Sequence, residues 1–216
     1  MKTNQNNTLT TSQLKKWSGE FGDEYVKRNE FSDWKMEPGT KAFRNIIEGL
    51  ELESVLEVGS NIGLNLIFIN AILDGHIKLY AVEPNPSAFK RLISQKDRLK
   101  LENAWNVSAF QLPVPDSSVD LVFTSGVLIH ISPDDLALAT DEIVRVAKKY
   151  VLCIEYFSHN SESIKYKGQD DLLFKRDFGA FYQDRYTNLK CINYGFLWQR
   201  EYKIFDNLTW WLFEKM

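Results

Sequence analysis

A chain of 216 residues, 44% hydrophobic and 25% charged, is long enough to bury a sizeable core as one domain and has the balance of an ordinary globular protein. Its formal net charge of −3 argues against a nucleic-acid partner, because nonspecific binding to a phosphate backbone draws on an excess of lysine and arginine. Two cysteines, Cys153 and Cys191, are too few for a disulfide framework, no signal-peptide pattern opens the chain, and no apolar run is long enough to span a bilayer.

In chain order, residues 1–12 are polar and read as frayed. Over residues 13–31, Trp17, Phe21, Tyr25 and Val26 recur at near-helical spacing, interrupted by Gly19 and Gly22. That interleaving predicts a hinged lid within a cap of residues 1–38, set on a core of residues 39–216. Pro38-Gly39 reads as a turn and Thr40 as the cap of a helix over 41–50, with Ala42, Phe43, Ile46, Ile47 and Leu50 on one face. Residues 54–58 read as a strand, 59–63 as a tight glycine loop and 64–73 as a helix. A second strand covers 78–83, and Asn85-Pro86-Ser87 opens a helix that runs through Ile93. Residues 99–107 contain the next strand, and 119–125 another. Ser132-Pro133-Asp134-Asp135 has the signs of a helix start, with a hydroxyl cap, an early proline and acids against the dipole. That helix is expected to reach about Lys149 and to lead into a buried strand over 150–154. Strands alternating with helices predict an α/β domain with a parallel sheet and right-handed crossovers. Residues 158–186 have no clean period. Two further strands, 189–194 and 209–213, flank a segment over 195–208 that reads as a loop at the substrate edge.

The spacing around the first glycine loop decides what the domain binds. A dinucleotide fingerprint would place glycine at 59, 61 and 64, but Asn61 and Leu64 stand at two of these positions. Glu57-x-Gly59-x-x-x-Gly63, followed by Glu83 at the end of the next strand, instead resembles the first motifs of class I S-adenosylmethionine-dependent methyltransferases. Leu112-Pro113-Val114-Pro115-Asp116, running into Val119-Asp120-Leu121-Val122, is similar to a further segment of that superfamily. The resemblance implies a Rossmann-like fold: a seven-stranded, mostly parallel sheet with helices on both faces and a C-terminal antiparallel hairpin. It also implies S-adenosyl-L-methionine as the cofactor and assigns no metal.

On that resemblance Gly59 lets the backbone pass close to the cofactor, Gly63 starts the helix beside it, and Ser60 and Asn61 lie in the same turn. The methionine carboxylate is expected near the helix N-terminal amides. Glu57 would meet the cofactor's amino group, and Glu83, with Pro84 beside it, the ribose hydroxyls. Ser108 and Ala109 fall where the superfamily recognises adenine, with a serine in place of the more frequent aspartate. Ser125 and Gly126 end the strand that brings cofactor and acceptor together. His130 is either a general base for a hydroxyl acceptor or a histidine hydrogen-bonded beneath the cofactor. Glu155 and Tyr156 are further candidate bases.

The amino-terminal stretch from Trp17 to Asn29, taken with Tyr194-Gly195-Phe196-Leu197-Trp198 and the Thr209-Trp210-Trp211 ending, resembles methyltransferases associated with pseudaminic (nonulosonic) acid biosynthesis. That resemblance implies a small, sugar-derived acceptor. It makes Tyr25 and Arg28 candidates for cofactor or substrate contacts, Tyr25 also for catalysis, against ordinary packing of an amphipathic helix. A methylase of a small amine or carboxylate and a non-catalytic cofactor-binding subunit are the alternatives. The expected setting is cytoplasmic, and the sequence sets no oligomeric state.

Overall fold

The computed structural model describes residues 9–216, so the expected fraying lies mostly outside the described residues. Two helices open it, α1 (Ser12–Trp17) and α2 (Glu20–Arg28), and a 3₁₀ turn at Asp33–Lys35 leads into α3 (Met36–Ile47). The central run is β1 (Ser54–Val58), α4 (Leu64–Ile72), β2 (Lys78–Val82), α5 (Pro86–Ser94), α6 (Lys96–Leu99) and β3 (Leu101–Trp105). Then come β4 (Val119–Ser125), a 3₁₀ turn at Leu128–His130, α7 (Leu136–Val146) and β5 (Ala147–Glu155). The last part holds β6 (Glu162–Ser163), β7 (Phe174–Lys175), α8 (Phe178–Arg185), β8 (Leu189–Leu197), α9 (Gln199–Tyr202) and β9 (Leu208–Lys215).

Seven strands form one sheet in the order β3-β2-β1-β4-β5-β9-β8, while β6 and β7 make a separate small ribbon. Strands β1 to β5 pair in parallel, and β9 is antiparallel to both of its neighbours. This is the Rossmann-like arrangement with a C-terminal antiparallel hairpin. Alternate strand residues feed two cores, as the two-residue period of a strand requires. Val55, Leu79, Leu121, Phe123 and Leu152 pack with α3 and α4 on one face. Leu56, Val58, Val122, Val151 and Cys153 pack with α7 and α8 on the other. The sheet order reverses beside β1, which opens a crevice at the carboxyl ends of β1, β2 and β4, the place where such folds bind ligands.

Several boundaries differ from the expectation for identifiable reasons. Pro38-Gly39 is no turn but part of the first stretch of α3, where a proline's missing N–H costs little. Gly39 is there because a Cβ would meet the Phe68 ring at 2.6 Å, and Thr40 donates back to the Met36 carbonyl at 2.7 Å instead of capping. Ser132 to Asp135 form a turn, so α7 starts at Leu136 and stops at Val146. Residues 147–149 join β5, because Ala147 pairs with Val119. The expected loop over 195–208 is partly structured: β8 extends to Leu197 and α9 follows. Gly195 accepts that extension, since the Trp210 ring lies where its Cβ would be, at 2.7 Å.

The amino-terminal segment departs most. It is two helices with a break at Ser18-Gly19, and they are docked. Thr11 caps α1 by accepting from the Leu14 amide, and Val26 of α2 is buried against Ile62 and Ala88. Gly22 has a packing role: a Cβ there would sit 1.8 Å from the Trp17 carbonyl oxygen, so this glycine lets the two helices touch. The Asn85 side chain holds the pair by donating to the Trp17 carbonyl and to Asp23 Oδ1, both at 3.0 Å. Gln13 and Lys16 reach across to Asp171 on the opposite rim.

Candidate functional site

The crevice at the strand ends becomes a roofed cavity of about 470 Å³ once α1 and α2 lie over it. Its floor is the loop after β1. Gly59 has φ +79°, and a Cβ there would lie 2.5 Å from Val127 Cγ2, so backbone conformation and close approach both require glycine. All five amides of the loop are engaged inside the protein. Gly59 and Ser60 donate to the Val82 carbonyl (2.7 and 3.0 Å) and Gly63 to the Ser60 carbonyl (2.8 Å). Asn61 donates to Glu83 Oε2 at 2.7 Å, and Ile62 to the Asn61 side chain at 2.9 Å.

Two carboxylates face the cavity from adjacent strand ends. Glu57 is 1% exposed; Oε1 accepts from Asn65 Nδ2 at 2.7 Å, while Oε2 is buried with no hydrogen-bond partner among the described residues. Burial holds its carboxyl well above the usual range; the Asn65 bond opposes this and neighbouring Glu83 adds to it. A buried oxygen without a donor is costly, and a cationic ligand group would relieve that cost. Glu83 is pushed up to about 7 by burial, against two backbone donors, Asn85 and Asn61. Each of its oxygens keeps a lone pair for a further donor. A ligand with an ammonium at one end and hydroxyls near its middle matches this pair.

Most of the residues singled out in the sequence come together here. Tyr25, Glu57, Gly59, Ser60, Asn61, Glu83, Pro84, Ser108, Ala109, Ser125, Gly126 and His130 all line the cavity. Gly126, at φ +67°, has nothing within 4 Å of its Cβ position and so leaves open space beside the β4 end. Gly63 and Arg28 do not line it. Gly63 serves packing: a Cβ would meet Leu92 Cδ1 at 2.8 Å, and its φ of +83° lets α4 begin. Arg28 is exposed, with its guanidinium 5.6 Å from the Tyr25 ring centre. The amides of 59–63 are spent within the protein, which leaves the first amides of α4, Leu64 to Leu66, as the helix N-terminal donors expected near the methionine carboxylate.

The candidate bases sort differently from expectation. His130 Nδ1 donates to the Leu172 carbonyl at 2.6 Å, which leaves the lone pair of the neutral ring on Nε2. Burial lowers its pKa to about 4, so it is a neutral, weakly basic ring packed 4.3 Å from Trp17. Glu155 is fully buried away from the cavity and accepts from the Val127, Leu128 and Ile129 amides, bracing the turn that carries His130. Tyr156 lines the cavity but donates its hydroxyl to Asp206 Oδ2 at 2.6 Å, and burial raises its pKa further. Sequence reasoning placed Trp17 in the expected lid and gave no site role to Asn65, Asn85, Tyr166, Lys203 or Asp206. Only Asn65 and Asn85 carried a signal, since both stand within two residues of a motif position. Among the described residues no group of three or more His, Cys, Asp or Glu is placed to hold a metal.

A family model described as a methyltransferase domain matches residues 56–154, which is β1 through nearly all of β5. Among solved structures, the fold is similar to a SAM-dependent methyltransferase of Leishmania major (TM-score 0.71, 15% identity, 95% of this chain and 87% of that one). It is also similar to the 1,6-didemethyltoxoflavin-N1-methyltransferase of Burkholderia thailandensis, solved with bound 1,6-didemethyltoxoflavin and S-adenosylhomocysteine (0.68, 13%, 94% and 87%). A third likeness is to the magnesium protoporphyrin IX methyltransferase of Synechocystis PCC 6803 with bound SAM (0.65, 10%, 97% and 100%).

Proposed function

We propose, from the premise that this chain is an S-adenosylmethionine-dependent methyltransferase, that its acceptor is a small polar molecule of the sugar-acid class, such as a nonulosonic (pseudaminic) acid intermediate. The observation that carries the reading is the roof. A partly covered cavity has to hold cofactor and acceptor together, which suits a small molecule better than a polymer. Beyond the cofactor half its walls are Tyr25, Trp34, Tyr166, Lys203 and Asp206. Aromatic faces pack against the C–H faces of a sugar ring, a carboxylate accepts from its hydroxyls, and an ammonium suits an acid group.

The residues fit the cofactor. Glu57 would take the ammonium of the methionine end, Glu83 the ribose hydroxyls, and Ser108 and Ala109 the adenine edge. The bound cofactor supplies an electrophilic sulfonium methyl. The protein orients the acceptor against it and keeps water out, so its contribution is one of position.

A second reading is favoured by the proton inventory. His130 is a weak base at about 4, and Tyr156 is held as a hydroxyl donor. Neither removes a proton from a sugar hydroxyl near neutral pH. A nitrogen or carboxylate oxygen needs no such base, so a small amine or carboxylate is the alternative acceptor, and the acid group of a sugar acid satisfies both readings. The site in either case belongs to a cytoplasmic enzyme, in keeping with two free thiols, Cys153 and Cys191. Among the described residues no helix is long and apolar enough to cross a membrane.

The test is turnover of S-adenosylmethionine against a panel of nucleotide sugars, nonulosonic acid precursors, small amines and carboxylates, with bulk tRNA and DNA included. Product mass spectrometry reads the result. Methylation of a small acceptor is expected; transfer to nucleic acid well above any small molecule overturns the reading.

A further inference from the structure

The cofactor's amino-acid end carries a carboxylate as well as an ammonium, and Glu57 suits only the second. Its own oxygens would repel an anion. The five loop amides from Gly59 to Gly63 are committed within the protein, which leaves on this side the first amides of α4, Leu64 to Leu66. Another wall of the cavity offers a side-chain donor for the carboxylate.

The roof holds such a group. Trp17 lines the cavity and is half-buried, yet its indole Nε1 is buried and has no hydrogen-bond partner among the described residues. A buried N–H without an acceptor costs free energy, and a ligand that supplies the acceptor recovers it. The ring is held on three sides, with His130, Phe21 and Tyr25 at 4.3, 5.1 and 5.4 Å between ring centres. Its backbone is fixed as well. The Trp17 carbonyl accepts from Asn85 Nδ2, and the Asn85 amide in turn donates to Glu83 Oε1 at 2.7 Å. The indole is thereby tied to the same acid that faces the ribose, and Gly22 allows no side chain to push it away.

We propose that Trp17 is a cofactor-binding residue whose indole N–H donates to the carboxylate of the amino-acid end of S-adenosylmethionine. This rests on the cofactor reading above and adds the recognition of the anionic end by the amino-terminal cap. A charge-assisted bond of this kind sets the cofactor apart from nucleosides that share its adenosine but lack the acid. It also makes docking of α1 part of binding.

A double-mutant cycle tests it. Calorimetry would measure S-adenosylhomocysteine and its decarboxylated analogue, which keeps the amine, on the wild type and on Trp17→Phe, which keeps a ring and loses the N–H. The expected result is a loss of about tenfold or more for S-adenosylhomocysteine on Trp17→Phe and no comparable loss for the analogue. Equal losses for both ligands, or none for either, overturn the assignment. Trp17→His, which restores a ring N–H, is expected to bind S-adenosylhomocysteine more tightly than Trp17→Phe even if both variants are less stable; the reverse order contradicts the proposal. Failure of S-adenosylhomocysteine to bind the wild type would instead remove the cofactor reading itself, and that outcome is separate from all of these.

Discussion

Glu57 and Glu83 are costly as buried acids, and the proposed cofactor contacts would offset that cost. In the empty protein burial raises both carboxyls above their ordinary values, Glu83 to about 7. The folded chain therefore binds protons more tightly than the unfolded chain. That contribution to stability is complete below the ordinary carboxyl value and is lost as pH rises through about 7. Bound ammonium and ribose hydroxyls favour the ionised forms, so the ligand compensates where the empty protein is weakest. The expected outcome is a larger rise in Tm on adding S-adenosylhomocysteine at pH 8 than at pH 5.5, read by differential scanning fluorimetry. A larger rise at the acidic pH would contradict these roles. His130 stays neutral across this range, because its pKa is lowered to about 4. The two acids and Gly59 were legible as cavity residues because they stand at fixed distances along one strand–loop–strand unit that resembles a known motif. The partners of the loop amides were not, because Val82, Glu83 and Asn61 claim them only once the loop has its three-dimensional shape.

Among the elements, the amino-terminal helix pair taught the most. Two glycines between aromatics suggest a hinge, and in the folded chain Gly22 is also the point where the two helices touch. A sequence shows that a side chain is absent but not what occupies its place. Docking depends on Asn85, which caps α5 through Oδ1 to the Ala88 amide while its Nδ2 holds Trp17 and Asp23. With Val26 buried beneath the pair, amides of α2 are expected to exchange slowly even without ligand. Asn85→Ala should speed their exchange, at a stability loss of about 0.5–2 kcal/mol for the cap alone. Hydrogen exchange by mass spectrometry checks both, and fast exchange over 20–28 in the unliganded wild type would restore the hinged lid.

For the whole molecule, topology was the easier part to read. Strand–helix alternation and the two-residue strand period fix two cores around one sheet, and the reversal of strand order beside β1 places the crevice. The cofactor half of the cavity follows from contiguous motifs. The proposed acceptor half follows only in Tyr25, because Tyr166, Lys203 and Asp206 lie on segments without a motif and join the cavity wall only in the folded chain. The account as a whole rests on what the β1–β2 crevice binds. Titration calorimetry with S-adenosylhomocysteine and, separately, with NADH tests this most directly. Saturable one-site binding of S-adenosylhomocysteine, much weakened in Glu57→Gln, with no heat from NADH is the predicted result; saturable NADH binding with none of S-adenosylhomocysteine would contradict it.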